Sequence, residues 1–187
     1  MPAAVLLPLF DKEGHYHLLL TKRTQHLAHH KGQICFPGGA CQPEDQAPLT
    51  TALREAAEEL GLLASDVEVL GRLDDTSTLS SNFLITPFVG VIPYPYRFLV
   101  NGDEIEELIE IPLIALLSST SFYEGSAESS TPGPCYRYGG HVIWGATARI
   151  LGQFLGLLPE YYHDAEPTEA PGQCETRYLK TAVASDG

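Results

Sequence analysis

Positive charge is scarce in this chain: eleven Lys and Arg stand against twenty-four Asp and Glu over 187 residues, a formal net charge of −13. A nucleic-acid binder needs a basic footprint, and this balance does not supply one. Cysteine is sparse as well. Cys35, Cys41, Cys135 and Cys174 form neither a CxxC pair nor a zinc-ligand spacing, which argues against a disulfide framework and for a reducing, cytoplasmic compartment. Long apolar runs are missing too. The opening MPAAVLLPLF has no basic stretch ahead of its apolar residues and is too short to span a bilayer, so neither a signal peptide nor a membrane partner is expected. There are no internal repeats. What is present, 44% hydrophobic residues, is enough to bury one sizeable core. One domain is expected over residues 1–158, followed by a Pro-, Glu-, Thr-, Gly- and Ser-containing stretch, 159–187, read as a mobile or loosely packed tail.

Along the chain, Ala3 to Pro8 and His17 to Thr21 read as strands joined around Asp-Lys-Glu-Gly, a hairpin by turn chemistry. Ile34 to Phe36 is a short strand feeding Gly38 and Gly39. Val67 to Leu73 and Phe83 to Ile92 have the β-branched, apolar character of buried strands. Tyr94 to Val100 reads as a loop or edge strand. Pro112 limits any helix in Glu106 to Leu117 to starting near it, and a Ser-rich stretch, Ser118 to Pro134, precedes a second hairpin arm. A final helix, about Ile143 to Leu157, carries Ile143, Ala146, Ile150, Phe154 and Leu157 on one stripe. Strands alternating with one early and one late helix describe an α/β domain with a mixed sheet between helices.

The early helix, Leu49 to Leu60, is the most informative element. Pro48 sits where a first turn tolerates proline and Gly61 where a helix usually ends. In Arg54-Glu-Ala-Ala-Glu-Glu-Leu-Gly61, Glu55, Glu58 and Glu59 fall at i, i+3 and i+4, within a sector of roughly 100°. Leu49, Leu53, Ala56, Ala57 and Leu60 are expected to fill the opposite side. An acidic protein can show ExxEE on a solvated face, but like charges this close repel, and a hard divalent cation is their natural counter-charge.

Gly39 through Leu62 resembles the Nudix box: a glycine, a variable loop carrying an acid, then REx₂EExG and an apolar residue. The loop is one residue longer here than in the common form, which shifts the upstream acid to Asp45. A second string, Leu19-Leu-Thr-Lys-Arg-Thr24 followed by Gly32-Gln-Ile-Cys-Phe-Pro-Gly-Gly39, is similar to the signature of coenzyme A diphosphatases within the Nudix superfamily. Thr24 stands in place of its serine and Ala28 in place of its arginine. LDDTSTLSSNFLITPFVGVIP from Leu73 and YRYGGHVIWGATARIL from Tyr136 look like later segments of the same enzymes, so the resemblance covers roughly Ala3 to Leu158.

The resemblance implies an α/β/α Nudix sandwich, with a homodimer left open. It also implies hydrolysis of the diphosphate bond of coenzyme A or its derivatives, giving 3′,5′-ADP and 4′-phosphopantetheine. The alternative is a Nudix hydrolase of another nucleoside diphosphate derivative, such as NADH, ADP-ribose or a dinucleoside polyphosphate. A Nudix-like binding module without turnover is a third reading, which the intact REAAEELG argues against. Diphosphate hydrolysis requires charge neutralisation and an aimed water. Glu55 and Glu59, one turn apart, are the first choice of Mg²⁺ or Mn²⁺ ligands, with Glu58 holding a second ion or orienting the water. Arg54 points away by about 100° and is expected to pair with the loop acid. The general base is Glu58 or Glu104, the latter in a DEIEE segment that also reads as a solvated acidic turn. Gly38 and Gly39 let the backbone approach metal and substrate. Lys22, Arg23, His26, His29, His30 and Lys31 are candidates to replace the missing guanidinium, with Arg23 and Lys31 favoured as phosphate contacts.

Overall fold

The computed structural model describes residues 1–26, 31–78, 81–117, 120–123 and 133–158. Ala28, His29, His30, Cys174 and the expected tail lie outside the described residues. In chain order the strands are β1 (Pro2–Lys12), β2 (His15–Arg23), β3 (Ile34–Cys35), β4 (Gly38–Ala40), β5 (Glu68–Arg72), β6 (Thr76–Ser77), β7 (Leu84–Val91), β8 (Ile105–Pro112), β9 (Thr120–Tyr123), β10 (Gly133–Tyr138) and β11 (His141–Ile143). The helices are α1 (Pro48–Leu60), α2 (Leu113–Leu117) and α3 (Gly145–Gly156).

The first hairpin forms as its turn residues require. Glu13 and Gly14 both take positive φ, 58° and 84°, and Asp11 Oδ1 accepts a hydrogen bond from the Gly14 amide at 2.8 Å. From this hairpin an eight-stranded mixed sheet grows on both sides. β1 runs parallel to β7 from Pro2 opposite Leu84 to Leu9 opposite Val91, and β2 pairs antiparallel with β8. β9, β10 and β11 form a separate antiparallel sheet.

The near-continuous apolar runs of β1 and β2 alternate between two cores, because successive strand side chains point to opposite faces. Ala4, Leu6, Phe10 and Leu19 pack with Ala52, Ala56 and Leu60 of α1. Leu7, Leu9, Leu18 and Leu20 pack on the other face with α2, α3, Tyr136 and Ile143. The sheet is thus covered on both faces, the mixed α/β arrangement expected.

Several local expectations are corrected. β5 is largely exposed rather than a buried strand, since it lies at the end of the sheet path and pairs with β7 alone. Glu106 to Leu117 divides at Pro112: Ile105–Pro112 is a strand that buries Ile105, Ile109 and Ile111 and exposes Glu106, Glu107 and Glu110, and the helix is only the short α2. In α3 the buried residues are Ala148, Ile150, Leu151, Phe154 and Leu155. The stripe is therefore rotated from the one expected, because Ile143 belongs to β11 and cannot set the helix phase. Among the described residues, no helix is long and apolar enough to cross a membrane.

Candidate active site

Small residues bring α1 close to the sheet: Ala52 and Ala56 are fully buried against β1. The helix ends at Gly61, whose φ of 66° suits glycine and whose missing Cβ leaves room for Leu99. The buried side of α1 comprises Thr51, Ala52, Ala56, Glu59 and Leu60, whereas Ala57 is exposed. The helix is thus turned from the orientation expected, and one of the three glutamates goes inward. Glu59 is 1% exposed.

Around Glu59 three segments converge. The Gly38 amide donates to Glu59 Oε2 at 3.3 Å, and Arg23 Nη1 stands 3.4 Å from Glu59 Oε1. Arg23 Nη2 lies 3.9 Å from Glu104 Oε2. Burial pushes the Glu59 carboxyl up to about 8, against the lowering pull of Arg23 and with a further push from Glu55 and Glu104. Burial raises the Glu55 carboxyl as well, while Arg54 opposes it.

Arg23 reaches the site because it shares strand parity with Leu19, which packs in the α1 core. Opposite Lys22 and Arg23 the β2–β8 register shifts, leaving Glu106 as the extra residue on β8. Thr24 keeps a use for its hydroxyl: Oγ1 donates to the Asp103 carbonyl at 2.9 Å, and its amide donates to the Glu104 carbonyl at 2.8 Å. The end of β2 thereby holds the loop that carries Glu104.

Asn101 ties that loop to the helix, a role sequence reasoning did not assign. Its amide donates to the Glu59 carbonyl at 2.9 Å, its carbonyl accepts from the amides of Glu104 and Ile105, and its Nδ2 donates to Glu104 Oε1 at 3.3 Å. Asn-Gly before an acidic run signals a turn, but nothing in it says which helix the turn meets. Glu106 and Glu107 face elsewhere, pairing with Lys22 at 2.8 Å and His141 at 3.4 Å.

Arg54 pairs with Asp45 as expected, in a fork with Nε to Oδ1 and Nη2 to Oδ2 both 3.1 Å. These hydrogen bonds, with those from the Gln42 amide and the Thr51 hydroxyl, hold the Asp45 carboxyl well below the usual carboxylate range. The expectation that Arg54 points away from the centre is only half right. Its Nη1 donates to Glu55 at 2.9 Å and to Glu58 at 3.1 Å, because a long side chain with five donors spans more than its Cα direction indicates.

Among the described residues, no three acidic, histidine or cysteine side chains form a ready-made cation cage. Arg54 stands between Glu55 and Glu58, and Glu58 is mostly exposed, so the triad is not one open face. The donor set nevertheless suits a hard divalent cation. Its atoms are carboxylate oxygens, and Glu59 is buried with compensating contacts no shorter than 3.3 Å. Gly39 gives Glu55 its space, since a Cβ there would come within 2.5 Å of the carboxylate. Lys31 is exposed and makes no ion pair with a described residue.

A family model described as NUDIX domain matches residues 1–121. Proteins described as uncharacterized Nudix hydrolase NudL, from Yersinia pestis (strain Pestoides F) and Yersinia pseudotuberculosis serotype O:1b (strain IP 31758), are each 42% identical over 154 residues, 80% of this chain and 75% of theirs. RenU, a Nudix hydrolase from M. smegmatis, shares the fold with a TM-score of 0.52 at 24% identity, over 62% of this chain and 72% of that one. A C. elegans Ap4A hydrolase gives 0.51 at 15% identity, over 60% and 80%.

Proposed function

This chain belongs to the Nudix hydrolase family, and from that membership we propose that its small-molecule substrate is coenzyme A or one of its derivatives, cut at the diphosphate into 3′,5′-ADP and 4′-phosphopantetheine or its acylated form. The observation that carries this reading is the Leu19–Thr24 and Gly32–Gly39 string, with Arg23 lying 3.4 Å from the buried Glu59. A box alone serves many diphosphates. A string that supplies both a cation and a glycine approach beside the box narrows the choice.

In this reading Glu55 and Glu59 hold Mg²⁺ or Mn²⁺, which supplies charge neutralisation on the diphosphate and a water of lowered pKa. Glu58 contributes to a second ion or orients the water. Glu104 or Glu58 takes the proton, and Arg23 and Lys31 contact phosphate. Gly38 and Gly39 leave the backbone open to close approach. Ala28, in place of the signature arginine, favours as second reading another nucleoside diphosphate derivative: NADH, ADP-ribose or a dinucleoside polyphosphate.

Glu59→Gln keeps side-chain size and removes a charged ligand. Turnover should fall on the order of a hundredfold or more with the fold retained, and Glu55→Gln should behave alike. Near-normal turnover of either variant at limiting Mg²⁺ would remove that residue from the ligand set. Substrate choice is tested by mass identification of products from coenzyme A, acyl-CoA, NADH, ADP-ribose and dinucleoside polyphosphates. Dephospho-coenzyme A isolates the 3′-phosphate. A preference for coenzyme A that shrinks in Arg23→Ala or Lys31→Ala, with KM raised by up to about a hundredfold, supports the reading. Equal turnover of both substrates, unchanged in both variants, moves the assignment to the second reading.

A further inference from the structure

Arg23 is placed in the site without being used up by it. Its contacts to Glu59 and Glu104, at 3.4 and 3.9 Å, are longer than the roughly 2.7–2.9 Å of a closed charge-assisted hydrogen bond. Arg54, by contrast, makes four carboxylate contacts between 2.9 and 3.1 Å. Among the described residues the buried Nε of Arg23 has no hydrogen-bond partner, and beyond the two carboxylates the guanidinium meets the Cys35 thiol, a weak acceptor. The backbone is not the loose part, for the Arg23 amide donates to the Gln33 carbonyl at 3.0 Å and the next residue is pinned to Glu104. A guanidinium with unspent donors, carried on a firmly anchored backbone, therefore lies between two carboxylates. It lies within 4 Å of both, and its side chain, 22% exposed, retains access to solvent.

We propose that Arg23 is an exchangeable counter-ion: it compensates Glu59 and Glu104 in the cation-free protein, and when a divalent cation takes Glu59 its donors pass to a phosphate of the substrate. The proposal rests on Glu59 being a cation ligand in the diphosphatase reading above. Its content is a coupling between two binding events. Arg23 opposes the cation, and the cation makes Arg23 available to the anion. An ordinary phosphate-binding arginine would aid the anion under all conditions, and a purely structural arginine would aid it under none.

The test uses the full chain, Mn²⁺, and α,β-methylene-ADP as an uncleaved diphosphate, with calorimetry on wild type, Arg23→Gln, Arg23→Lys and Glu59→Gln. In Arg23→Gln, Mn²⁺ should bind about five- to tenfold more tightly than in wild type. Without Mn²⁺, wild type and Arg23→Gln should bind the analogue equally. With saturating Mn²⁺, Arg23→Gln should bind it about tenfold more weakly. Arg23→Lys keeps the charge without the fork and should show the same cation-dependent loss in smaller measure, which keeps the test open if the Gln variant folds poorly. A loss of analogue affinity that is the same with and without Mn²⁺, or absent in both, overturns the exchange. If Glu59→Gln binds Mn²⁺ as tightly as wild type, the ligand assignment itself falls, a failure distinguishable from that of Arg23.

Discussion

Glu59 shows how little a residue's chemistry follows from its type. On a solvated helix face a glutamate is an ordinary acid, but this one is 1% exposed and its carboxyl is pushed up to about 8, chiefly by burial. A carboxyl raised in the folded state favours folding in its protonated form. Its contribution is fully present below the unfolded value near 4.5 and is lost as pH rises through about 8. With chelator present, stability is therefore expected to decline from about pH 5 to 8, by up to about 1.4 kcal/mol per pH unit from this group. Glu59→Gln should remove that slope, and Mg²⁺ should raise Tm more at pH 8 than at pH 6. Melts across this range in both proteins decide it. A slope that persists in Glu59→Gln would assign the pH dependence to other groups.

At the scale of the element, α1 works because its contact with the sheet is made of alanines. Ala52 and Ala56 are fully buried against Ala4 and Leu6, so the helix backbone sits close to β1 and Glu59 comes within reach of the Gly38 amide. Ala56→Leu forces extra volume into that seam, with a typical cost of about 1–3 kcal/mol, and moves the carboxylates away from Gly38 and Gly39. Lower Tm and lower turnover are expected together. Ala57→Leu, one position on at an exposed site, should leave both near wild type. Thermal melts and turnover assays of the two variants make the comparison, and equal losses would contradict this packing of α1 on β1.

At the scale of the whole molecule, a net charge of −13 opposes any anionic substrate, while Lys22 and Arg23 are partly occupied by Glu106, Glu59 and Glu104. The long-range field is screened by salt more effectively than contacts inside the site. Raising ionic strength from about 0.02 to 0.2 M at constant free Mg²⁺ should therefore raise kcat/KM for the coenzyme A substrate proposed above. The measure is a salt series of initial rates. A fall would show that local cations, not the net charge, govern encounter.

The sequence by itself determined what depends on local pattern. The hairpin at Glu13 and Gly14, the bounds of α1 between Pro48 and Gly61, the pairing of Arg54 with Asp45 and the family membership were all legible, because turn chemistry, helix punctuation and motif spacing are properties of short stretches. Tertiary structure alone decided which way α1 faces the sheet, and hence that Glu59 is buried while Ala57 is not. Periodicity gives a helix's stripes and leaves their rotation to packing. Tertiary structure also decided that Asn101 joins the loop of Glu104 to the helix, and that Arg23 lies among the acids. Those contacts span 36 to 81 positions of chain between Arg23 and its two partners. No local pattern encodes such a distance; it is set by the pairing of β2 with β8 and by the close seat of α1 on β1.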